Sequence, residues 1–246
     1  MDTSKIAKVP PIIPDAVPSH RVFLTGATGF IGRRLTRALL DAGYEVSALV
    51  LPGDEHHLPA GVHGYVGDVT DLAVFTDALM DAEPALVYHL AAIGMANPCL
   101  PMHDACQVNV AGVINALEAV RATDSVERIV LVGSSYEYGA RRSDDALDPF
   151  NPYSASKAAA WAFARAAYNA WQVPVVWVRP FQVYGPGQLE KALVPAAILA
   201  ALRGEDFRMT EGRQQRDFVF VDDVVAGMLT AGLAPDVEGR VLDLGT

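Results

Sequence analysis

The sequence predicts an α/β fold, a doubly wound parallel sheet of the Rossmann type with a small C-terminal substrate-binding lobe. Two observations carry this prediction. Short apolar segments alternate with longer segments of helical periodicity along most of the 246 residues, and this order is typical of a parallel sheet with helices on both faces. The first apolar segment also runs directly into a glycine-rich turn and a helix, as in folds that bind phosphate groups at a helix N-terminus.

Residues 1–20 predict a flexible leader that precedes the sheet. They contain Pro10, Pro11, Pro14 and Pro18, and lysines interrupt their short apolar groups. This stretch lacks the continuous apolar core of about 7–15 residues that characterises a secretory signal. We therefore expect the first domain to begin at residue 21.

Residues 21–25 predict a buried strand that leads into a turn from Gly26 to Gly32. Gly26 permits the tight turn, Gly29 allows the backbone to approach a pyrophosphate, and Gly32 permits close packing of the next helix. The apolar stripe of that helix consists of Ile31, Leu35, Ala38 and Leu39, and Gly43 ends it. Strand, turn and helix together predict a dinucleotide site.

A second strand is predicted over residues 45–51, and its tip bears on the identity of the dinucleotide. Folds of this type usually carry an acid there that binds a ribose 2′-hydroxyl, or an arginine that binds a 2′-phosphate. Here the tip is apolar, Val50-Leu51. NAD is the predicted cofactor, and NADP stays open because nearby acids could bind the first and nearby arginines the second. These candidates are Asp54, Glu55, Arg33 and Arg34.

The alternation of strands and helices continues to residue 179. Strands are predicted over 62–66, 85–90, 128–133 and 174–179, and helices over 72–81, 105–122 and 153–171. Apolar residues surround the alanine-rich helix over 153–171, which predicts burial on more than one of its sides. From this alternation we assign residues 21–179 to the dinucleotide-binding domain.

Residues 180–246 are assigned to a substrate-binding lobe, because a proline- and glycine-rich loop follows residue 179. A helix near residues 190–202 and the segment 216–223 would cap a substrate. Residues 241–246 predict the start of another strand.

Three residues in the first domain predict acid/base chemistry. Tyr153 and Lys157 lie four residues apart, so they share one face of a helix, and Ser134 follows the strand over 128–133. A free phenol titrates near ~10, and an adjacent ammonium and a positively charged nicotinamide ring would both favour its phenolate. The three residues therefore predict a site that moves a proton and a hydride.

Several short motifs follow one another along the chain. They are Thr25 to Gly32, Gly67 to Val69, His89 to Ala92, Asn109, Ser134 to Gly139, Tyr153 to Lys157, Arg179 to Gly187 and Arg216 to Asp223. Through them, the chain from about residue 21 to residue 246 resembles an extended short-chain dehydrogenase/reductase of the nucleotide-sugar epimerase/dehydratase family. The resemblance implies a nucleotide-sugar substrate and a catalytic group of Ser134, Tyr153 and Lys157.

The same resemblance implies which residues contact the ligands. Those expected to bind the cofactor are Gly26, Thr28, Gly29, Phe30, Ile31, Gly32, Asp68, Val69, Leu90, Ala91, Ala92, Asn109, Tyr153, Lys157 and Val183. Ser135, Gln182 and Arg216 are expected to bind the substrate, with Arg216 on the nucleotide diphosphate. The resemblance also implies a homodimer joined by four helices, two from each subunit, and a lobe that continues beyond Thr246.

The resemblance leaves several reactions open. Dehydratases of this family place Asp-Glu directly after the catalytic hydroxyl, where this chain has Ser135 and Tyr136, so dehydration is disfavoured. The segment from Ser134 to Gly139 is more similar to 4-keto-sugar reductases, and NAD(P)-dependent reduction at C4 of a nucleoside-diphosphate sugar is the predicted reaction. A 4-epimerase that retains its NAD is the alternative, and a cofactor-binding regulator without catalysis is a remote one.

The amino-acid composition limits which binding partners and which cellular compartment we expect for the protein. The formal charge of −10 argues against nucleic acid and anionic membranes, since both are bound by clustered cations. Cys99 and Cys106 lack metal or redox spacing and are predicted to be buried reduced thiols. Three histidines, His56, His57 and His63, are predicted to lie in a solvated loop rather than to bind a metal ion. We therefore expect a cytoplasmic enzyme without a metal ion.

Overall fold

The computed structural model describes residues 20–95, 97, 99–139 and 147–246, and nearly all of the predicted leader lies outside them. The strands are β1 Arg21–Thr25, β2 Glu45–Val50, β3 Val62–Val66, β4 Leu86–His89, β5 Arg128–Val132, β6 Val175–Pro180, β7 Gln182–Tyr184, β8 Phe218–Phe220 and β9 Val241–Leu244. The helices are α1 Phe30–Asp41, α2 Leu72–Ala82, α3 Met102–Ala105, α4 Gly112–Arg121, α5 Pro152–Trp171, α6 Leu193–Arg203 and α7 Val221–Leu233.

Seven strands form the main sheet in the order β3-β2-β1-β4-β5-β6-β9, and every neighbouring pair is parallel. The strand order reverses between β1 and β4, which is where ligands bind in open sheets of this kind. The pair β7 and β8 forms a second, two-stranded parallel sheet. The predicted Rossmann-type sheet with a small second unit is confirmed.

Two apolar layers cover the main sheet. Successive side chains of β1 point to opposite faces, so Phe23 packs in the layer that includes α2, α4 and α5, and Leu24 in the layer that includes α1 and α7. Both side chains are fully buried. Burial of each contributes about 1.5–3 kcal/mol to folding. The carboxyl ends of the strands are thereby held in one rigid edge.

Helix α5, which carries Tyr153 and Lys157, has one buried face. Asn151 caps its first turn by accepting a hydrogen bond from the Ser154 amide at 2.8 Å. Phe163 and Trp171, on the outer side, are 49% and 53% exposed. The predicted burial on more than one side is therefore wrong within the chain, because the sheet and its neighbouring helices cover only one stripe of α5. The buried stripe consists of Tyr153, Ser154, Ser156, Lys157, Ala160, Ala164 and Ala167.

The predicted helix over 105–122 is a composite. A π-helical turn, Cys106–Ala111, separates α3 from α4. Such turns insert one extra residue and are frequent at functional sites. Cys106 lies on the outer side of this turn, and Cys99 lies in the loop before α3. Both cysteines are free and exposed, so the prediction of buried thiols is wrong.

Residues 180–246 contribute to both sheets. They supply β7 and β8 to the small sheet, while α7 packs on the main sheet and β9 pairs with β6, with Trp177 opposite Val241. The strand predicted at residues 241–246 and the helix predicted near 190–202 correspond to β9 and α6.

Two smaller findings concern metals and membranes. His63 lies on β3 and not in a loop, whereas His56 and His57 lie in a 3-10 turn. Within the described ranges no three histidine, cysteine, aspartate or glutamate side chains are grouped so that they could hold a metal ion. In the same ranges no helix has the length and apolar character needed to cross a bilayer.

Candidate active site

The glycine turn lies at the carboxyl end of β1, where backbone contact leaves no room for side chains. Gly26 has φ +72°, and a Cβ there would lie 2.8 Å from the backbone nitrogen of Ala91. A Cβ on Gly32 would lie 1.9 Å from the carbonyl oxygen of Gly26. Both glycines are therefore required by close packing of the turn against its own helix and against the loop after β4.

The N-terminus of α1 is suited to an anion. Gly29 is its N-cap, no side chain caps the first turn, and no acid lies in that turn. The first N–H groups of a helix have no partner within the helix, and the helix dipole adds partial positive charge there. Gly29 is exposed. This end of α1 therefore fits the pyrophosphate of a dinucleotide.

Thr25 organises the loop that follows β4. Its hydroxyl oxygen lies 2.9 Å from Nδ1 of His89 and accepts a hydrogen bond from the Ala91 amide at 3.2 Å. Its carbonyl accepts another from the Leu90 amide at 3.1 Å. Thr25 and His89 were not among the predicted site residues, although both lie in the quoted motifs. They hold the predicted cofactor wall, Leu90 to Ala92, against the glycine turn.

His89 is a buried neutral imidazole. Burial, with the Lys157 charge as a second cause, lowers the pKa of His89 to about 3. Its Nε2 atom is buried and has no hydrogen-bond partner among the described residues. His89 is therefore a structural link between β1 and β4 rather than an acid or base at neutral pH.

Asn109 joins the loop after β4 to α5. Its amide oxygen accepts from the Ile93 amide at 2.9 Å, and its amide nitrogen donates to the Ile93 carbonyl at 3.0 Å and to Oγ of Ser156 at 2.9 Å. Ser156 in turn donates to the Tyr153 carbonyl at 2.8 Å. Asn109 thus lies buried between the predicted cofactor wall and the helix that carries the catalytic pair.

Asp68 and Val69 follow β3, beside the first strands. The Asp68 carboxylate accepts from the Thr70 amide at 2.9 Å, and the Val69 carbonyl accepts from Asn115 at 2.9 Å. Asp68 is exposed and Val69 is buried. Their side of the sheet is where β2 and β3 end, so contact with an adenosine stays a prediction for both.

Ser134, Tyr153 and Lys157 come together at the carboxyl end of β5. The Tyr153 hydroxyl is hydrogen-bonded to the Ser134 side chain, which also accepts from the Tyr136 amide at 3.2 Å. Burial raises the pKa of Tyr153 to about 12. The prediction that its surroundings favour a phenolate is therefore wrong for the protein's own groups, because desolvation outweighs the Ser134 hydrogen bond.

Lys157 is anchored to the same strand. Its ammonium donates to the Val132 carbonyl at 2.7 Å. Burial lowers the pKa of Lys157 to about 8, and the negative charge of Glu137 opposes that fall. The lysine is thus held beside Tyr153 by the backbone of β5, one turn further along α5.

Glu137 is a buried carboxylate that sequence reasoning missed. Its Oε1 accepts from the Ser134 amide at 2.7 Å and from the Trp177 indole at 3.3 Å, and Oε2 accepts from Nε of Arg179 at 2.8 Å. Its side chain is fully buried. Sequence reasoning could not identify it, because its partners Trp177 and Arg179 lie 40 and 42 positions further along the chain.

The predicted substrate residues lie in three segments of the chain. Ser135 begins the 3-10 turn after β5, next to Ser134. Gln182 lies on β7, and its amide donates to the Asp217 carbonyl at 2.9 Å; the next residue of this strand, Val183, was predicted to bind the cofactor. Arg216 lies just before β8 and is exposed, and it donates to the Gln215 carbonyl at 2.9 Å. Their contacts with substrate stay predictions.

Arg34 links α1 to the loop after β7. It donates to Asp222 at 3.1 Å and to the Pro186 carbonyl at 3.2 Å. Arg33 is exposed at the surface of the helix. Arg34 is therefore engaged by the protein itself, which leaves Arg33 as the better candidate of the two for a 2′-phosphate.

A model of one protein family, described as the NAD dependent epimerase/dehydratase family, matches residues 22–245. The chain belongs to this family. A family member from Mycolicibacterium smegmatis, a UDP-glucose 4-epimerase, is 31% identical over 245 residues, which cover 92% of this chain and 77% of the epimerase. A dTDP-glucose 4,6-dehydratase from Xanthomonas campestris pv. campestris is 30% identical over 251 residues, covering 90% and 70% of the two chains.

Solved structures agree with this assignment. MoeE5, in complex with UDP-glucose and NAD, superposes with a TM-score of 0.80 at 33% identity, over 92% of this chain and 76% of MoeE5. The family predicted from the motifs, a family of NAD-dependent nucleotide-sugar enzymes, is confirmed.

Proposed function

We propose that this family member catalyses the NAD-dependent interconversion of nucleoside-diphosphate hexoses at C4. The observation that carries the proposal is the convergence of Ser134, Tyr153 and Lys157 at the carboxyl end of β5. Epimerisation takes precedence over the reduction predicted from the sequence, because the similar enzymes include a UDP-glucose 4-epimerase. The same catalytic group also argues against a regulator that only binds the cofactor.

The chain's residues fit a nicotinamide dinucleotide. The uncapped N-terminus of α1 would hold the pyrophosphate, the strand β2 and the segment after β3 would hold the adenosine, and the loop after β4 would line the nicotinamide side. When bound, NAD supplies the acceptor and donor of the hydride. We propose NAD over NADP because the tip of β2 is apolar and supplies no cation for a 2′-phosphate.

The protein's own groups would manage the proton. Because Tyr153 has a pKa of about 12, its phenol is protonated at neutral pH and can donate to a sugar oxygen at C4. Ser134 would hold that oxygen beside the phenol. Lys157 supplies positive charge on the same face of α5, which offsets a phenolate after the proton has moved.

Reduction of a 4-keto sugar is the second candidate. The segment from Ser134 to Gly139 favours it through its similarity to 4-keto-sugar reductases. Dehydration is less consistent with this site, since Ser135 and Tyr136 stand where a dehydratase carries its acid pair. The Tyr136 ring packs edge-on against Tyr153 with centroids 6.4 Å apart, so a phenol lies where elimination of water would need a carboxylate base.

The substrate class rests on the cations of the lobe. A guanidinium can bind a diphosphate through two parallel charge-assisted hydrogen bonds. Arg216 is exposed beside β8, and Gln182 lies on the paired strand β7. We therefore propose a nucleoside-diphosphate sugar as substrate and assign the diphosphate to Arg216.

We also propose that the protein is a homodimer joined through α4 and α5. Phe163 and Trp171 are about half exposed on α5, and Arg121 of α4 lies 4.0 Å above the Trp171 ring. A second copy would remove this apolar surface from water at ~25 cal/mol per Å². Sedimentation velocity should show a dimer for the native chain and a monomer for Phe163→Glu, and a native monomer would contradict the proposal.

Two parallel assays distinguish the candidate reactions. In the first assay UDP-glucose, UDP-galactose and GDP-, dTDP- and CDP-hexoses are incubated with the protein and NAD without a reductant. In the second, nucleotide-4-keto-6-deoxyhexoses with the same four bases are incubated with NADH or NADPH. Epimerisation yields the C4 epimer without a net change in absorbance at 340 nm, whereas reduction consumes cofactor in proportion to product. If UDP-, GDP-, dTDP- and CDP-hexoses all remain unchanged in both assays, the proposed substrate class is wrong.

A further inference from the structure

We infer that Glu137 is a positioning residue for the catalytic group, holding Ser134 and supplying the buried negative charge that the Lys157 ammonium faces. The inference rests on the proposed function, because it assigns Glu137 to the reaction carried by those two residues. It concerns a side chain that would not touch the substrate and acts through its neighbours.

Two side chains hold the backbone from Val132 to Ser134 at the end of β5. Lys157 donates to the carbonyl of Val132, and Glu137 accepts from the amide of Ser134. Gly133 lies between these two anchors. A Cβ on Gly133 would lie 2.2 Å from Oε1 of Glu137. The carboxylate therefore packs directly on the strand end that carries Ser134 and anchors Lys157.

The carboxyl group is held in its ionised form by its partners. The three groups that hydrogen-bond its two oxygens are all donors, and they come from Ser134, Trp177 and Arg179. A protonated carboxyl would need an acceptor for its proton. Burial raises the pKa of Glu137, and the positive charge of the Arg179 guanidinium beside it opposes this rise. The paired Arg179 side chain is almost fully buried as well.

Other charged and titratable groups surround this pair on several elements. Arg179 on β6 also donates to the Tyr138 hydroxyl at 2.8 Å, and Tyr138 donates to the exposed Asp243 of β9 at 2.8 Å. On α5, Lys157 and Tyr153 face the carboxylate, and β4 contributes the neutral His89 beyond Lys157. The negative charge of Glu137 raises the pKa of both Lys157 and Tyr153.

The consequence is a common direction for both catalytic groups. If the charge of Glu137 is removed, the ammonium of Lys157 and the proton of Tyr153 are both held less tightly. The alkaline limb of a pH–rate profile, on which Lys157 loses its proton, should then move toward lower pH. A residue that only supported the fold would change the rate without moving this limb.

The test compares the native chain with Glu137→Gln, which keeps the side-chain size and removes the charge. Asp243→Asn is the matched control, since it removes a charge from the exposed end of the same hydrogen-bonded chain. We expect Glu137→Gln to lower kcat by about ten- to a hundredfold, in keeping with the cost of a misplaced catalytic group. The alkaline limb of its profile should move to lower pH by about one pH unit, and the control should leave it in place.

A second readout does not depend on activity. The chain has four lysines, Lys5, Lys8, Lys157 and Lys191, so the carbon signals of lysine labelled with 13C at Cε can be assigned with Lys157→Arg. In the native chain the Lys157 signal should titrate near pH 8. In Glu137→Gln it should titrate about one pH unit lower, as expected when an opposite charge is lost.

Glu137→Gln leaves Arg179 without its carboxylate and could unfold the chain. In that case the variant Glu137→Met with Arg179→Met is used, because replacing both members of a buried pair by apolar side chains is often neutral for stability. The same downward movement of the Lys157 titration is expected in it. An unchanged Lys157 titration and an unchanged alkaline limb in an active enzyme would overturn the inference. If the native chain shows no activity while the Lys157 titration is lower in the variant than in the native chain, the proposed function is wrong and the charge effect of Glu137 stands.

Discussion

Acid should destabilise this protein through one buried histidine. His89 is fully buried at the end of β4, where its Nδ1 lies 2.9 Å from the Thr25 hydroxyl. Its pKa is lowered from 6.5 to about 3 by burial and by the Lys157 charge. Between these two values the unfolded chain binds a proton at this position and the folded chain does not. Stability is therefore lost as the pH falls below about 6.5.

The size of the loss follows from the same two values. Each pH unit in that window costs about 1.4 kcal/mol per group. Between pH 7 and pH 5 the contribution of His89 amounts to about 2 kcal/mol, because the unfolded imidazole is only partly protonated near pH 6.5. For a chain of this length the loss corresponds to about 4–8 °C in the melting temperature.

The assay is urea unfolding at pH 7 and pH 5, for the native chain and for His89→Gln. Glutamine stays neutral at both pH values and can keep the hydrogen bond to Thr25. His63→Gln is the control, because His63 is an exposed histidine on β3. We expect His89→Gln to lose about 2 kcal/mol less than the native chain on acidification, and the control to behave like the native chain. Equal losses in all three proteins would refute the argument.

Four further outcomes are expected. Tyr153→Phe should lower turnover by ~10²–10⁴ while the Kd for NAD, measured by calorimetry, stays within about threefold. Activity should fall on the alkaline side with an apparent pKa near 8 as Lys157 loses its proton, and the pH dependence of kcat/KM checks this. Gly32→Ala should weaken NAD binding at least ~10-fold, because the new Cβ would lie 1.9 Å from the Gly26 carbonyl oxygen and the turn must move. Arg216→Ala should raise the substrate KM far more than the Kd for NAD. Equal effects on the two constants would contradict the assignment of the substrate diphosphate to Arg216.

The fold could be predicted because its strongest signals are local. The apolar run of β1, the glycines after it and the stripe of α1 all lie within one short stretch of chain. Each of these patterns has one common structural solution, a strand that turns into a helix against a parallel sheet. The later strands repeat the pattern, and the structure places them in the main sheet.

Burial on a particular face was harder to predict, because it depends on which elements pack together. Helix α5 is apolar nearly all round, yet only the side toward the sheet is covered, and Phe163 lies on the open side. Cys106 follows the buried Ala105 at the start of the π-helical turn, yet it faces outward. The same applies to Thr25 and His89, whose hydrogen bond joins residues 64 positions apart in the sequence.

The charges at the site determine whether the protein's own groups favour reduction of a ketone or oxidation of a hydroxyl. Burial holds the proton on Tyr153 and works against the ammonium of Lys157. Glu137 restores the ammonium but tightens the hold of Tyr153 on its proton. These groups therefore favour a protonated phenol, which suits reduction of a ketone by proton donation. Oxidation of a hydroxyl needs more positive charge beside Tyr153, and the oxidised nicotinamide ring of NAD carries such a charge. The proposed epimerisation needs both the oxidation and the reduction, so bound NAD would supply positive charge beside Tyr153 as well as the redox chemistry.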